Sequence, residues 1–417
     1  MAPNPQTYLP RLVDPILDDY LEQLPASIVV GPRTAGKSTT LARRAATVVR
    51  LDMEAQAAPF RADPDVALRG LDEPVLLDEW QNVPGVLGAV RRAVEADPRP
   101  GRFLVTGSVR AELDNEVWPG TGRLVRLAMY PMTIRELDGR ADGRAFFDRL
   151  VNGETLDVPD SPPDLRGYVD LALRSGFPTA ALRLTGRPRV AWLESYIDDL
   201  LTHDVRQLET SQRPHDRQRL RRYFEAYALN SAGLVDHKTI YDAAGVHKDT
   251  ANAYEALLAD LLVAERVPAW ASNRLKRLVR APKRYLIDAA LVAAALRLDA
   301  SAVVRDGMLL GCTVDTFVAA QLRADASVAA ARPRLHHLRT EGGRQEIDLL
   351  AELAGERLIG IEVKAGAAPG RADAKHLQWL RDRYEARFVA GVVLHTGPRV
   401  YELDDRIVAA PIATLWA

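Results

Sequence analysis

Cysteine is almost absent from this chain of 417 residues: Cys312 is the only one. A single thiol excludes an intrachain disulfide framework and a cysteine-cluster zinc site, and it suits a reducing cytoplasm. Lysine is scarce as well, at positions 37, 238, 248, 276, 283, 364 and 375 only, so arginine supplies nearly all of the 55 basic residues. Long apolar runs are missing. The alanine-rich stretch from Ala289 to Leu296 is far too short to span a bilayer, and the start Met1-Ala2-Pro3-Asn4-Pro5 lacks the basic and apolar regions of a signal peptide. The expectation is a soluble, cytoplasmic protein with no membrane partner. Net charge is nearly absent too: 55 basic against 56 acidic residues leave -1, so any affinity for nucleic acid has to come from local patches. What is present is ordinary globular material, 47% hydrophobic, in a chain too long for one core. Two to four domains are expected.

Where arginine is the default cation, a lysine inside a motif that needs a compact ammonium is informative, because the planar guanidinium does not substitute for it. Lys37 stands in such a motif. The apolar run Ser27-Ile28-Val29-Val30 leads into Gly31-Pro32-Arg33-Thr34-Ala35-Gly36-Lys37-Ser38, and a helix-like segment starting Thr39-Thr40-Leu41 follows. Strand, glycine loop and helix make a phosphate cradle: backbone N–H groups face inward, Lys37 reaches the β- and γ-phosphates, and Ser38 ligates Mg²⁺. Residues 31 to 39 are therefore the candidate ATP site. The apolar run Val75-Leu76-Leu77 ends in Asp78-Glu79, as a Walker B strand does; Asp78 holds the Mg²⁺ shell and Glu79 orients or deprotonates the attacking water. Arg102 to Ser108 reads as a further strand whose end, Thr106 or Ser108, senses the γ-phosphate or caps a turn. Arg123, beside Gly122, is a candidate arginine finger acting on a neighbouring subunit, with Arg110 as the other option. A finger in trans implies a homo-oligomer.

The remaining chain divides by pattern. Residues 1–135 form the ATPase core, with a helical lead-in over the first 26. Residues 136–215 are a helical lid, interrupted by the surface loop Val158-Pro159-Asp160-Ser161-Pro162-Pro163 and the turn Gly176-Phe177-Pro178. His203, with no ligand-spaced partner, belongs to that structure. Residues 216–285 have winged-helix spacing, with Thr239 to Ala244 as second helix, Gly245-Val246 as turn and Asp249 to Leu258 as recognition helix. The recognition face offers Lys248, Asn252 and Tyr254 together with the acids Asp249 and Glu255, so both DNA reading and a protein contact stay open. Two basic runs flank it. The first holds Arg213, Arg217, Arg219, Arg221 and Arg222; the second, Arg274, Lys276, Arg277, Arg280, Lys283 and Arg284, contains no acid and favours a polyanion, DNA above all.

Residues 286–417 read as helix, three strands, helix, strand. In a strand, residues two apart share a face, so Glu362 and Lys364 project together while Ile361 and Val363 enter the core. Asp348 on an adjacent strand completes a pair of carboxylates for a hard divalent ion. Mg²⁺ there would generate hydroxide and Lys364 would neutralise the phosphate, the D…E-x-K chemistry of restriction-type nucleases. Glu346 shares a strand face with Asp348, and His336 and His337 lie near in sequence without ligand spacing.

The phosphate loop, Asp78-Glu79-Trp80-Gln81, Thr106-Gly107-Ser108, Gly122-Arg123, Tyr130-Pro131-Met132, Gly176-Phe177-Pro178 and the three carboxyl-half segments together resemble prokaryotic AAA-type P-loop ATPases whose carboxyl half is a domain of unknown function with a restriction-endonuclease-like, PD-(D/E)XK core. The resemblance spans essentially the whole chain. It implies an α/β protein: a parallel-sheet ATPase with a helical lid, a DNA-binding-type helical module and a nuclease-like end. It also implies a glutamate on the helix before the nuclease strands, where this chain has Asp315. The expected function is ATP binding and hydrolysis coupled to action on DNA, with Mg²⁺-dependent cleavage at Asp348, Glu362 and Lys364. The alternative is a nucleotide-controlled signalling or scaffold ATPase with a protein-binding winged helix and an inert carboxyl end.

Overall fold

Ile28, Val29 and Val30 sit in a run without polar alternation, which suits a strand covered on both faces. In the computed structural model, which describes residues 8–108, 124–204, 216–273 and 280–417, β1 (Ala26–Val30) is buried along its whole length. It lies between β4 (Phe103–Gly107) and β5 (Val125–Ala128), with β3 (Val75–Asp78) and then β2 (Thr47–Arg50) beyond β4. All neighbours in this five-stranded sheet run parallel. Helices Glu54–Ala62 and Gly85–Ala96 cover one face through Phe60, Val86 and Val90, while Asp14–Gln23 covers the other through Leu17. The carboxyl ends of β1, β3 and β4 meet at one edge, so the strand order alone gathers the phosphate loop, Asp78 and Ser108.

The helices that follow build a second body. Leu165–Arg174 and Gly186–Asp199 flank the expected turn, and Arg217–Leu229, His237–Ala244 and Lys248–Asp260 come after, with Gly245 left-handed at φ 65° between the last two. A two-stranded antiparallel ribbon closes the module: β6 (Ala264–Val267) and β7 (Lys283–Leu286). The helix, helix, turn, helix and strand order matches the expectation, but the expected recognition face does not. Tyr254 and Glu255 lie on the inner stripe with Ala251 and Leu258, three and four residues apart, and only Lys248, Asp249 and Asn252 of the five are exposed. Ala289–Leu296, read as the start of the last domain, packs into the core of this helical body; the boundary expected after residue 285 falls inside β7.

The carboxyl-terminal sheet has six strands: β8 (Arg334–Arg339), β9 (Glu346–Glu352), β10 (Leu358–Val363), β11 (Phe388–His395), β12 (Tyr401–Asp404) and β13 (Ile407–Pro411), in spatial order β12-β13-β11-β10-β9-β8. The pairs β10–β11 and β11–β13 are parallel, the others antiparallel. The long helix Gly307–Val328 covers one face and Lys375–Arg383 the other. One apolar core runs from Phe146, Phe147 and Leu150 through Phe317 and Leu322 to Val392, Leu394 and Trp416, so the chain after the ATPase sheet is packed directly on the carboxyl-terminal sheet. Polar contacts reinforce it: Asp325 accepts from the amides of Phe146 (2.9 Å) and Phe147 (3.2 Å), and Gln321 from that of Ile134 (2.8 Å). Among the described residues no helix is long and apolar enough to cross a membrane. Arg110, Arg123, Arg213, Arg274, Lys276, Arg277 and the side chain of His203 lie outside the described residues.

Candidate functional site

The loop between β1 and the helix Lys37–Ala42 passes so close to the chain just beyond β5 that a Cβ on Gly31 would lie 2.0 Å from the Met129 carbonyl oxygen. Gly36, at φ 98°, takes the left-handed turn into the helix at little steric cost. Lys37 is folded back over this cradle: its Nζ donates to the carbonyl oxygens of Gly31 and Pro32, both at 2.9 Å. Burial pushes its pKa down to about 8, with Glu79 and Asp78 working against the shift. Ser38 Oγ donates to Asp78 Oδ1 at 2.7 Å, so the two groups expected to share Mg²⁺ are already adjacent. Burial raises the Asp78 carboxyl and the Ser38 hydroxyl lowers it, leaving a net upward shift. An ordered hydroxyl and carboxylate, both hard oxygen donors, fit Mg²⁺.

Glu79 follows β3 with φ 56°, a left-handed residue at the strand end. Gln81 Nε2 donates to Glu79 Oε2, and Ser108 Oγ donates to the same oxygen at 3.2 Å. Of the two hydroxyls expected near the γ-phosphate, it is Ser108 that joins Glu79. Thr106 pairs in register with Asp78 but is fully buried, and its Oγ1 has no hydrogen-bond partner among the described residues. A cavity of about 650 Å³ opens over Thr34, Gly36, Lys37, Ser38, Thr39 and Glu79, and Arg43, Pro178 and Arg183 reach it from other elements. That volume suits a nucleotide. Phosphate oxygens need Lys37 protonated, and in the free protein its ammonium is lost above about pH 8. Nucleotide affinity should therefore be level below that pH and fall about tenfold per pH unit above it, which a fluorescent-nucleotide titration across pH will check.

Arg11 lies in the helical lead-in, and the structure gives it a larger part. Its Nε donates to Glu136 Oε1, Nη1 to the Ala35 carbonyl oxygen inside the phosphate loop, and Nη2 to that of Tyr130, each at 2.8 Å. Glu136 Oε1 also accepts from the Leu12 amide at 2.8 Å. The pair is buried, Arg11 at 4% exposure and Glu136 at 3%, and braces the loop from the side. No local pattern announces it, because its partners lie 24 to 125 residues away. Arg11→Ala leaves Glu136 buried without its counter-ion; the expected result is a loss of about 3 kcal/mol in denaturant unfolding together with weaker nucleotide binding.

Residues 23–138 match the family model described as AAA domain. The amino-terminal domain is a P-loop ATPase domain of the AAA type. Two further models, both described as domains of unknown function, match residues 165–302 (DUF8612) and 310–415 (DUF4143). Uncharacterized proteins of Mycobacterium tuberculosis (Rv2008c) and Mycobacterium bovis (Mb2031c) are each 29% identical over 398 residues, 94% of this chain and 81% of theirs. Among solved structures, the Walker-type ATPase paby2304 of Pyrococcus abyssi aligns over 68% of this chain and 94% of its own, with 16% identity and a TM-score of 0.42.

A second cluster of ionisable groups lies in the carboxyl-terminal body. Asp348 from β9, Glu362 from β10 and Lys364 just beyond it come together, and Asp315 of the long helix joins them. Lys364 Nζ donates to Glu362 Oε2 at 3.1 Å, while Glu362 Oε1 is buried without a partner. Burial and the neighbouring Asp348 push the Glu362 carboxyl up to about 8, against the pull of Lys364. Glu346 instead faces Arg339, 3.7 Å away. The unexpected member is Lys283. Read in sequence as part of an exposed basic strip, it is 2% exposed and contacts both Asp315 and Asp348. Its neighbour Arg284, also buried, donates to Glu255 Oε1 at 2.7 Å. The strip loses these two cations because β7 is enclosed between two modules and every one of its residues is buried. Among the described residues, no three or more His, Cys, Asp or Glu side chains are grouped to hold a metal ion.

Proposed function

We propose that this chain is a nucleotide-controlled ATPase. Its turnover occurs at Lys37, Ser38, Asp78 and Glu79, and its helical and carboxyl-terminal bodies respond to nucleotide state. The carrying observation is that Lys37, Ser38 and Glu79, from two separate strand ends, line one cavity, with Asp78 hydrogen-bonded to Ser38 behind it. Ser38 and Asp78 would hold Mg²⁺, which when bound supplies charge neutralisation to the phosphates. Lys37 exchanges the carbonyls of Gly31 and Pro32 for phosphate oxygens. Glu79, held by Gln81 and Ser108, accepts the proton of the attacking water.

Nucleotide state has a physical route outward. Pro178 and Arg183 border the cavity from the turn before Gly186–Asp199, and Tyr196 Oη of that helix lies 3.5 Å from the Arg33 carbonyl oxygen in the loop. The same helix body carries Ala289–Leu296, which leads into the long helix under the carboxyl-terminal sheet. Phosphate release from the full chain with Mg²⁺ and ATP tests the proposal: turnover by the wild type, abolished in Lys37→Ala, supports it, and turnover that survives Lys37→Ala overturns it.

A second reading, action on DNA, is favoured by the exposure of Lys248 and Asn252 at the start of their helix and of Arg217, Arg219 and Arg222 on the helix Arg217–Leu229. Duplex DNA would meet these groups through its phosphates, so binding would weaken steeply with salt. Stimulation of ATP turnover by DNA, lost in Lys248→Glu, is the outcome that would raise this reading above the first.

A further inference from the structure

The side chains of β7 alternate between two bodies. Leu286 and Arg284 face the helical one, where Leu286 is buried in its core and Arg284 meets Glu255; Lys283 and Tyr285 face the long helix and β9. Lys283 Nζ lies 2.6 Å from Asp315 Oδ2 and 3.1 Å from Asp348 Oδ1. Tyr285 Oη donates to Asp315 Oδ1 at 3.2 Å, and the amide of Val363 donates to Asp348 Oδ2 at 3.0 Å. All four aspartate oxygens are thus taken by donors of the protein itself. Glu362 adds a third carboxyl and Lys364 a second ammonium.

This donor set does not fit the divalent ion that a restriction-type core implies. Mg²⁺ takes about six oxygens in near-octahedral array, and the gap between the two aspartates holds an enclosed ammonium instead. We propose that Lys283 is the resident cation of this centre: it stands where a divalent ion would bridge Asp315 and Asp348, so the carboxyl-terminal body binds no metal there and cleaves no phosphodiester. The centre is a clasp between the β6–β7 ribbon and the sheet. Other contacts close the same seam: the Trp270 amide donates to the His337 carbonyl oxygen at 2.6 Å, the His337 amide to that of Pro268 at 3.0 Å, and His337 Nε2 meets the Ala281 carbonyl oxygen at 3.0 Å. The clasp would hold in a chain that never turned over ATP, so it stands apart from the ATPase reading.

The test is Mn²⁺ binding by the full chain without nucleotide, so that no phosphate recruits metal to the loop, followed by electron paramagnetic resonance. Wild type, Asp348→Asn, Lys283→Met and the Lys283→Met/Asp348→Asn double variant are compared. The expected result is equal, weak binding by wild type and Asp348→Asn, a site about 10–100-fold tighter in Lys283→Met, and its loss in the double variant. Wild-type binding that Asp348→Asn removes would overturn the proposal, as would a Lys283→Met protein that melts cooperatively yet gains no site. Should Lys283→Met not fold, wild type against Asp348→Asn decides alone.

Discussion

Glu79→Gln is expected to lower the rate of ATP hydrolysis by about 10²–10⁴-fold while leaving nucleotide binding in place. The amide keeps the shape of the side chain and its contact with Ser108, whose hydroxyl can turn to suit either partner, but it cannot take a proton from water. Binding survives because the phosphates would be met by Lys37, Ser38 and the loop amides; the Glu79 charge does help to keep Lys37 protonated, so the comparison is made well below pH 8. Two measurements separate the effects: phosphate release gives the rate, and equilibrium titration with a fluorescent nucleotide gives the affinity. The structure adds a contrast with Ser108→Ala. That variant removes one hydrogen bond from Glu79 and leaves Gln81 holding the same oxygen, so a fall in rate much smaller than that of Glu79→Gln is expected. Equal losses in the two variants would mean that Glu79 acts by position alone rather than as a base.

The candidate nucleotide site is legible because its parts are contiguous. A glycine loop between an apolar strand and a helix is a local object, and an apolar run ending in Asp-Glu is another; the parallel sheet then has to bring strand ends to one edge. What stayed hidden was whatever depends on long-range pairing. Arg11 sits in a segment that looks like amphipathic packing, and only the fold brings Glu136 and the Ala35 carbonyl to it. The choice of Ser108 over Thr106 follows from position along the strand: the register sets Thr106 beside Asp78 inside β4, where its hydroxyl meets no partner among the described residues, whereas Ser108 stands one residue past the strand end, beside Glu79. Strand β12 escaped because it has four residues of mixed polarity, and β13 because its apolar run is only five residues long and ends in proline. Lys283 departs from its sequence pattern for a different reason. Linear charge density describes a solvated strip only if the segment is solvated, and here its end is a strand held between two bodies.

The burial of Lys283 between two aspartates points to the other large effect. Replacing Lys283 by Met leaves Asp315 and Asp348 facing each other in an enclosed site with no ammonium between them, and stability should fall by about 3–5 kcal/mol in denaturant unfolding. Asp315 and Glu362 of the same cluster already have carboxyls pushed up to about 6 and about 8, so it is the change in pH dependence from wild type to variant that identifies the cause. In the wild type, burial raises the Asp348 carboxyl but Lys283 and the Val363 amide outweigh it, so its pKa is held below the ordinary value. A depressed carboxylate contributes stability above its unfolded pKa and loses it as pH falls through the folded one, so this group makes acid destabilising. Without Lys283 the burial effect stands unopposed by its main counterweight and the folded pKa rises. The variant should then regain stability on mild acidification, where protonation relieves the repulsion, and on addition of Mn²⁺, where a dication replaces the lost ammonium. Thermal melts of wild type and variant over pH, with and without Mn²⁺, separate this from simple loss of packing. A cavity left by a trimmed side chain would cost the same at every pH and would not respond to metal.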